Sequence, residues 1–349
     1  MPFGPEAVSQ QERGGPEADF FVPAEEEPHE LTFMQWPVTP HAYDDALHLA
    51  ETQDKIAEIA NIIAEFEPVV MLAGRDHHAW ARRKLSADVV LWDVPTDDLW
   101  CRDSGPVFCV TEGGKLGVRH LNFNGWGGRF HLPNDGAVAG RVADRLDLPL
   151  FDNGLIGEGG GVETDGHGTL MAHESSWIEA GRHPGSRAEI EDLMLEAFGA
   201  DKMIWAPGLK GRDVTDYHID WLARFTGPGK IVIQIGEEER ADDIWSRADF
   251  GTLRSLQAAT DSQGRRFEIV RLPEPDLDTW ASSYANYYVF NGAVLASSTA
   301  DRAANAKARM VLAELYPERE IILLDTDILG KNGGGIHCAT QQMPLVQRP

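Results

Sequence analysis

The sequence predicts an α+β fold of repeated ββαβ modules set radially about an axis. Three observations carry that expectation. A hairpin, then a helix, then a strand recurs with starts near Val107, Gly161, Ile219 and Tyr287, a spacing of roughly 55–70 residues that marks stacked or radial modules. The hairpins carry their own turn chemistry, from Glu112-Gly113-Gly114-Lys115 to the strong two-residue signal Asn291-Gly292. The strands at the start of the chain and the segment after Leu324 can supply a fifth module that closes a ring. An ordinary α+β domain with a coincidental rhythm is the alternative.

Leu31–Pro37 reads as a short strand stopped by proline. A helix is expected from about Ala42 to Phe66, with Ile56, Ile59, Ile62, Ile63 and Phe66 on one face. Val69–Leu72 and Val89–Trp92 are apolar enough for buried strands. The first repeat pairs Val107–Thr111 with Leu116–Phe123 and continues into a helix near Ala137–Leu146. The second pairs Gly161–Thr164 with Thr169–His173 around Asp165-Gly166-His167-Gly168. Its helix opens at Ser186 with Glu189 three residues on, a capping box, and Gly199 closes it before strand Met203–Trp205. The third pairs His218–Phe225 with Ile231–Ile235, followed by helix Asp242–Ala258 and strand Phe267–Leu272. The fourth pairs Tyr287–Phe290 with Ala293–Ser297, then helix Asp301–Leu315 and strand Glu320–Leu324.

At 349 residues the chain suits one large domain or two ordinary ones, and no apolar run reaches the length of a membrane span. Residues 1–19 are rich in Gly, Pro, Glu and Gln, which suggests a disordered tail and neither a signal nor a transit peptide. The remainder, residues 20–349, then reads as a single catalytic domain. Lys and Arg number 31 against 56 Asp and Glu, a net charge of −25 that repels nucleic acid and anionic membranes. That charge serves solubility, or it draws cationic substrates. Cys101, Cys109 and Cys338 cannot all be paired and form no CxxC motif, so a reduced, cytoplasmic setting is expected. Assembly into a homo-oligomer is left open by these totals.

The chemistry concentrates at the hairpin entrances and near the C-terminus. Gly333-Gly334-Gly335-Ile336-His337-Cys338-Ala339-Thr340-Gln341-Gln342 sets a cysteine after three glycines, which can take φ > 0 and approach a ligand closely, and before small polar groups. Cys338 reads as a nucleophile, although a free cysteine is commonly just a small buried hydrophobe. Trp100-Cys101-Arg102-Asp103-Ser104-Gly105-Pro106 precedes the first hairpin, and Glu158 stands in a glycine cradle before the second. That cradle lacks the GK[ST] ending and leads to a strand, which argues against phosphate. His218 and Asp220 open the third hairpin; in a strand they would project together, as a weak metal pair, a structural pair or a catalytic pair. Several carboxylates beside a cysteine raise its pKa and suppress the thiolate. The arrangement makes sense if the substrate is itself a cation, and a planar, permanently charged guanidinium fits paired carboxylates best.

These residues resemble the agmatine deiminases of the guanidine-modifying (pentein) superfamily, which are related to the bacterial-type peptidylarginine deiminases. The resemblance runs from about Phe21 to Pro344. It rests on Pro23-Ala24-Glu25 with Glu27-Pro28-His29-Glu30, on Asp98–Pro106, and on Glu158-Gly159-Gly160 and His218-Ile219-Asp220. Ser283-Tyr284-Ala285-Asn286, Asn291–Leu295 and the Gly-Gly-Gly-Ile-His-Cys-Ala-Thr-Gln-Gln run complete it. The resemblance implies a five-bladed ββαβ pseudo-symmetric propeller, the pentein fold. It also implies Cys338 as nucleophile, His218 as general acid/base, Asp103 and Asp220 as guanidinium-binding carboxylates, Glu158 supporting both histidine and substrate, and Trp100 and Gly335 lining the site. Asp216-Tyr217 stands where the family usually has Asn-Gly, Asp97 where Asn is commoner, and Ser297-Ser298-Thr299 replaces a Pro/Phe-Gly pattern. Asp216, one strand-step from His218, is a candidate to receive a distal ammonium; otherwise it only caps the turn.

The implied activity is hydrolysis of a guanidino group through a cysteine thiouronium, with agmatine giving N-carbamoylputrescine and ammonia, in polyamine (putrescine) biosynthesis. This chemistry calls for no metal and no organic cofactor; the partner is a small cationic guanidino compound. Alternatives are another guanidino compound or peptidylarginine as substrate, an amidinotransferase, or a non-catalytic binding propeller.

Overall fold

The computed structural model describes residues 20–38, 43, 45–275 and 283–346. The expectation of a disordered tail over residues 1–19 and the expected helix start at Ala42 lie outside them. Among the described residues, five separate sheets of three or four strands each account for the strands. None of these sheets closes on itself.

Three sheets follow one pattern: an antiparallel hairpin, a helix, then a strand parallel to the hairpin's second member. Val162–Thr164 pairs antiparallel with Thr169–His173, which takes Lys202–Ala206 in parallel after helix Arg187–Phe198. Ala223–Phe225, Lys230–Gln234 and Glu268–Leu272 repeat this around helix Ile244–Ala258. Tyr288–Phe290, Ala293–Ser298 and Glu320–Asp325 repeat it again around helix Arg302–Leu315. A tight turn suffices for the antiparallel step, whereas the parallel step needs the helical crossover.

The other two sheets join distant parts of the chain. Phe20–Phe21 adds an antiparallel edge to Val107–Thr111, whose sheet continues through Leu116–Arg119 to Leu150–Phe151 after helix Val138–Leu146. Thr340–Pro344 pairs antiparallel with His29–Gln35, followed in parallel by Val69–Ala73 and Val89–Asp93. The first strands and the segment after Leu324 thus form one sheet.

Side-chain chemistry explains why the elements fall where they do. Helix Ala46–Ile63 buries Ile56, Ile59 and Ile63 against a core that includes Met71, Trp36 and Phe290. Asp45 caps its first turn by accepting from the His48 amide. Strand Val69–Ala73 is buried throughout, consistent with a strand covered on both sides. The Asn291-Gly292 turn forms with Gly292 at φ +79. Asn291 also reaches across to the fifth sheet, donating from Nδ2 to the His29 carbonyl at 2.8 Å and accepting the His29 amide at 3.1 Å. Buried Glu67 strengthens this seam by accepting from the Asn291 amide at 2.8 Å and from Thr32 Oγ1 at 2.5 Å.

Two local expectations change. Leu116–Phe123 is a strand only to Arg119. His218–Phe225 is a strand only from Ala223, because Ile219–Trp221 forms a single 3₁₀ turn; just ahead of His218, Asp216 and Tyr217 both take positive φ, +60 and +70. A strand cannot run through a left-handed pair. Among the described residues, no helix is long and apolar enough to cross a membrane.

Helix Arg187–Phe198 shows how tightly the ends are specified. Its capping box is complete, with the Ser186 amide donating to Glu189 Oε2 at 2.8 Å. Gly199 ends it at φ +61, where a Cβ would stand 1.9 Å from the Phe20 carbonyl oxygen. Gly199→Ala therefore meets both left-handed strain and a backbone clash, and should destabilise the fold by at least ~2 kcal/mol. Thermal unfolding reads this out; an unchanged melting temperature would contradict the geometry.

Candidate active site

Every module delivers a functional side chain from the turn that leads into its first strand. Asp103 sits on the single helical turn Cys101–Ser104 ahead of Val107–Thr111. Glu158 precedes the 3₁₀ turn Gly159–Gly161. His218 and Asp220 flank the start of the turn Ile219–Trp221. Asn286 stands just ahead of Tyr288–Phe290, and Cys338 lies in the turn His337–Ala339 before Thr340–Pro344.

Gly160 shows how closely these groups converge. A Cβ placed there would lie 2.8 Å from Asp103 Oδ1, 2.9 Å from His218 Nδ1 and 3.0 Å from Asp220 Oδ2. Only glycine lets the backbone pass between two carboxylates and an imidazole. Its amide donates to Asp103 Oδ1 at 3.1 Å. The role of the later triple glycine differs from the expectation: only Gly333 takes positive φ, at +95. Gly334 is required because a Cβ would meet the Trp100 ring at 2.5 Å, and Gly335 because it would meet Asn286 Oδ1 at 2.5 Å. Trp100 thus packs on the glycine run, in the same apolar cluster as Cys338.

His218 is buried between two carboxylates. Its Nε2 lies 3.2 Å from Glu158 Oε2 and its Nδ1 lies 3.7 Å from Asp103 Oδ1. Burial alone would lower its pKa; Asp103, then Glu158 and Asp220, outweigh that and hold it up at about 9. The ring is therefore an imidazolium at neutral pH. Burial pushes Asp103 up, with the His218 charge opposing, and Trp126 Nε1 donates to its Oδ2 at 2.8 Å. For Asp220, burial also pushes upward, but the hydrogen bond from His337 Nδ1, at 2.7 Å, and the surrounding positive charge win and leave it below its usual range. Asp220 Oδ1 is buried and has no hydrogen-bond partner. An unpaired buried carboxylate oxygen is costly, so this atom is poised for a donor from a ligand.

Cys338 Sγ stands 3.6 Å from Asp220 Oδ2 and 3.2 Å from Asn286 Nδ2. Burial, then Asp220 and Asp103, push the thiol well above its ordinary value. The free site is therefore a thiol beside two carboxylates and an imidazolium. Cys101 and Cys109 are buried elsewhere in the apolar core.

Asp216 is placed differently from the expectation that it could receive a substrate ammonium. Its carboxylate is fully enclosed, with Oδ2 accepting from Arg129 Nη2 at 2.7 Å and from Arg182 Nη1 at 3.1 Å, and Oδ1 accepting from the Gly211 amide at 2.7 Å. Arg182 Nε in turn donates to both oxygens of Glu158, at 2.9 and 2.7 Å. Asp216 thus holds the arginine that holds Glu158. Tyr217 turns away, its ring between His173 and Trp245 and its hydroxyl on Asp249.

Four participants escaped the sequence reading of the site. Asn286 and His337 lie inside motifs visible in the sequence, one ahead of the fourth hairpin and one next to Cys338. Arg182 and Trp126 gave no comparable signal, since only the folded chain brings them to Glu158 and Asp103. Among the described residues, no group of three or more His, Cys, Asp or Glu side chains is arranged to hold a metal ion.

Residues 21–344 match the Porphyromonas-type peptidyl-arginine deiminase family. The chain belongs to this family. A Streptomyces coelicolor protein described as "Putative agmatine deiminase" is 36% identical over 338 residues, covering 93% of this chain and 99% of its own. A Selenomonas ruminantium protein of the same description is 31% identical, over 95% of this chain and 98% of its own. Among solved structures, the agmatine deiminase of Enterococcus faecalis superposes with a TM-score of 0.86 at 24% identity, covering 93% of this chain and 96% of that one. The fold is thus the mixed α+β fold of the pentein-type deiminases.

The raised thiol makes a prediction independent of any substrate. Alkylation of Cys338 by iodoacetamide in the free protein should be slow at neutral pH and should quicken as pH rises past the ordinary thiol range. Fast alkylation of Cys338 at pH ~7, followed by peptide mass mapping, would contradict the placement of the two carboxylates.

Proposed function

We propose that this enzyme hydrolyses a guanidino C–N bond, with agmatine as its substrate and N-carbamoylputrescine and ammonia as products. The single observation that carries the reading is a cysteine held 3.6 Å from a buried carboxylate whose other oxygen has no partner, beside a second buried carboxylate and an imidazolium. Such a site is short of one cation with several N–H donors. Relatives named as agmatine deiminases support the same assignment.

On this reading Asp103 and Asp220 receive the guanidinium, whose planar donors suit paired carboxylates. The arriving charge offsets the carboxylates that suppress ionisation of Cys338, so the thiol gives up its proton to solvent as substrate binds. Cys338 Sγ attacks the central guanidinium carbon. His218 passes its proton to the departing nitrogen, and ammonia leaves a covalent thiouronium. Neutral His218 then takes a proton from water, the hydroxide adds to the same carbon, and the C–S bond breaks to give the ureido product and Cys338. Glu158, clamped by Arg182, orients the ring through Nε2, and Trp100 and Gly335 wall the site. The reaction as written consumes only water.

We read the five sheets as the blades of a pentein propeller, since all five contribute an entrance turn to one site. Residues from 20 onward form one catalytic domain, working in the cytoplasm. Asp216 acts as scaffold, so the preference for a diamine-like tail rests on the relatives and on the overall charge of −25.

Cys338→Ser should release no ammonia from agmatine while keeping the native fold; normal turnover would remove Cys338 from the reaction. Asp103→Asn should cost roughly 10²–10³-fold in kcat/KM by deleting a charge-assisted contact in a dry pocket. It also removes the largest influence raising His218. The wild-type rate should fall as pH rises through about 9, where His218 loses the proton it donates, and this limb should move to lower pH in Asp103→Asn. A pH–rate profile with an unmoved basic limb would separate Asp103 from His218.

A further inference from the structure

His337 precedes the nucleophile and has no part in the reaction as written. Its ring is 2% exposed and meets a carboxylate at each nitrogen. Nδ1 lies 2.7 Å from Asp220 Oδ2, and Nε2 lies 2.9 Å from Glu25 Oε2. A neutral imidazole offers one N–H and one lone pair, and a lone pair facing a carboxylate repels it. So either the ring carries both protons or one of the two acids does.

Glu25 is a poor keeper of that proton. Its carboxylate already accepts from Arg102 Nη2 at 2.9 Å and from the Val289 amide at 2.9 Å, with Arg224 Nη2 at 3.1 Å. Burial pushes this acid upward, but Arg224 leads the positive charges, Arg102 among them, that hold it well below the usual range. The backbone fixes the ring as well: the His337 amide donates to the Asn286 carbonyl at 3.2 Å, and its carbonyl faces Arg102 Nε at 3.4 Å. On one side of the ring stand Asp220, Asp103, His218 and Cys338. On the other, Glu25, Glu163, Arg102 and Arg224 line a cavity of about 50 Å³ that also touches His337.

We propose that His337 is a doubly protonated positioning residue, anchored by Glu25, that turns Asp220 so that Oδ2 is occupied and Oδ1 is left for the substrate. A resident cation there keeps Asp220 ionised inside a buried, acid-rich site and leaves one oxygen unsatisfied, which matches the orphaned Oδ1. Glu25 thereby explains why an acid on the far N-terminal segment belongs to the same constellation as Cys338. The inference rests on the reading of Asp220 as a guanidinium partner, and its test separates the two.

Selective ¹⁵N-histidine labelling, with His337→Gln to assign the signals, reads the ring directly in the unliganded protein. Both nitrogens of His337 should carry protons at neutral pH. A neutral tautomer overturns the proposal whatever the enzyme acts on. In kinetics, His337→Gln should move the acid limb of kcat/KM to higher pH, with a loss of roughly 10–100-fold near neutrality that recovers as pH rises. Glu25→Gln should shift the limb in the same direction by less. A folded His337→Gln enzyme whose loss is the same at every pH would overturn the role in ionising Asp220. Absence of guanidino turnover in the wild type would instead overturn the proposed function, and the nuclear magnetic resonance result would still decide the state of the ring.

Discussion

Carboxylates brought together out of water impose the main constraint on this structure. Asp103, Glu158 and Asp220 are each buried, and buried charges must be paired or neutralised. Each has a resident partner: His218 beside Asp103, Arg182 on both oxygens of Glu158, His337 on Asp220. The pairing is incomplete at one atom, Asp220 Oδ1, on the carboxylate whose other oxygen stands 3.6 Å from the thiol. Stability and function meet there, because an empty site carries an unsatisfied acceptor that a cation would satisfy.

The five-sheet architecture meets the constraint by supplying the site from turns. Strand registers and helices fix where each entrance turn begins, and glycines set how near the turns approach. Gly160 passes between three functional side chains, Gly334 admits Trp100, and Gly335 admits Asn286. The left-handed pair Asp216-Tyr217 is held by contacts on both sides, the arginines on one residue and the Asp249–His173–Trp245 surroundings on the other. Non-glycine residues at positive φ cost on the order of 1–3 kcal/mol each, and these buried contacts offset that cost while placing His218.

Much of this was legible in the sequence because it depends on local order. The hairpin–helix–strand rhythm gave the modules, the Ser186–Glu189 box gave a helix start, and Asn291-Gly292 gave a turn. His218, Asp220, Asp103 and Glu158 stood out because each sits at the entrance to a hairpin, and Cys338 because it follows a run of three glycines. What was not legible depends on pairing across the fold. A carboxylate such as Asp216 looks available in a sequence and is consumed in the structure by two arginines distant along the chain. The strand expected from His218 starts only at Ala223, because the 3₁₀ turn over Ile219–Trp221 leaves no trace in hydrophobic alternation. His337 stands in a legible motif, but only the fold shows its two carboxylate neighbours.

The central claim is that Cys338 bonds covalently to the guanidino carbon of a cation delivered by Asp103 and Asp220. Acid quenching of the enzyme during turnover of agmatine labelled with ¹³C at that carbon, followed by peptide mass mapping, tests it directly. The account predicts the label on the peptide that contains Cys338, and none on those containing Cys101 or Cys109. Turnover that leaves every cysteine unlabelled at all quench times would contradict it.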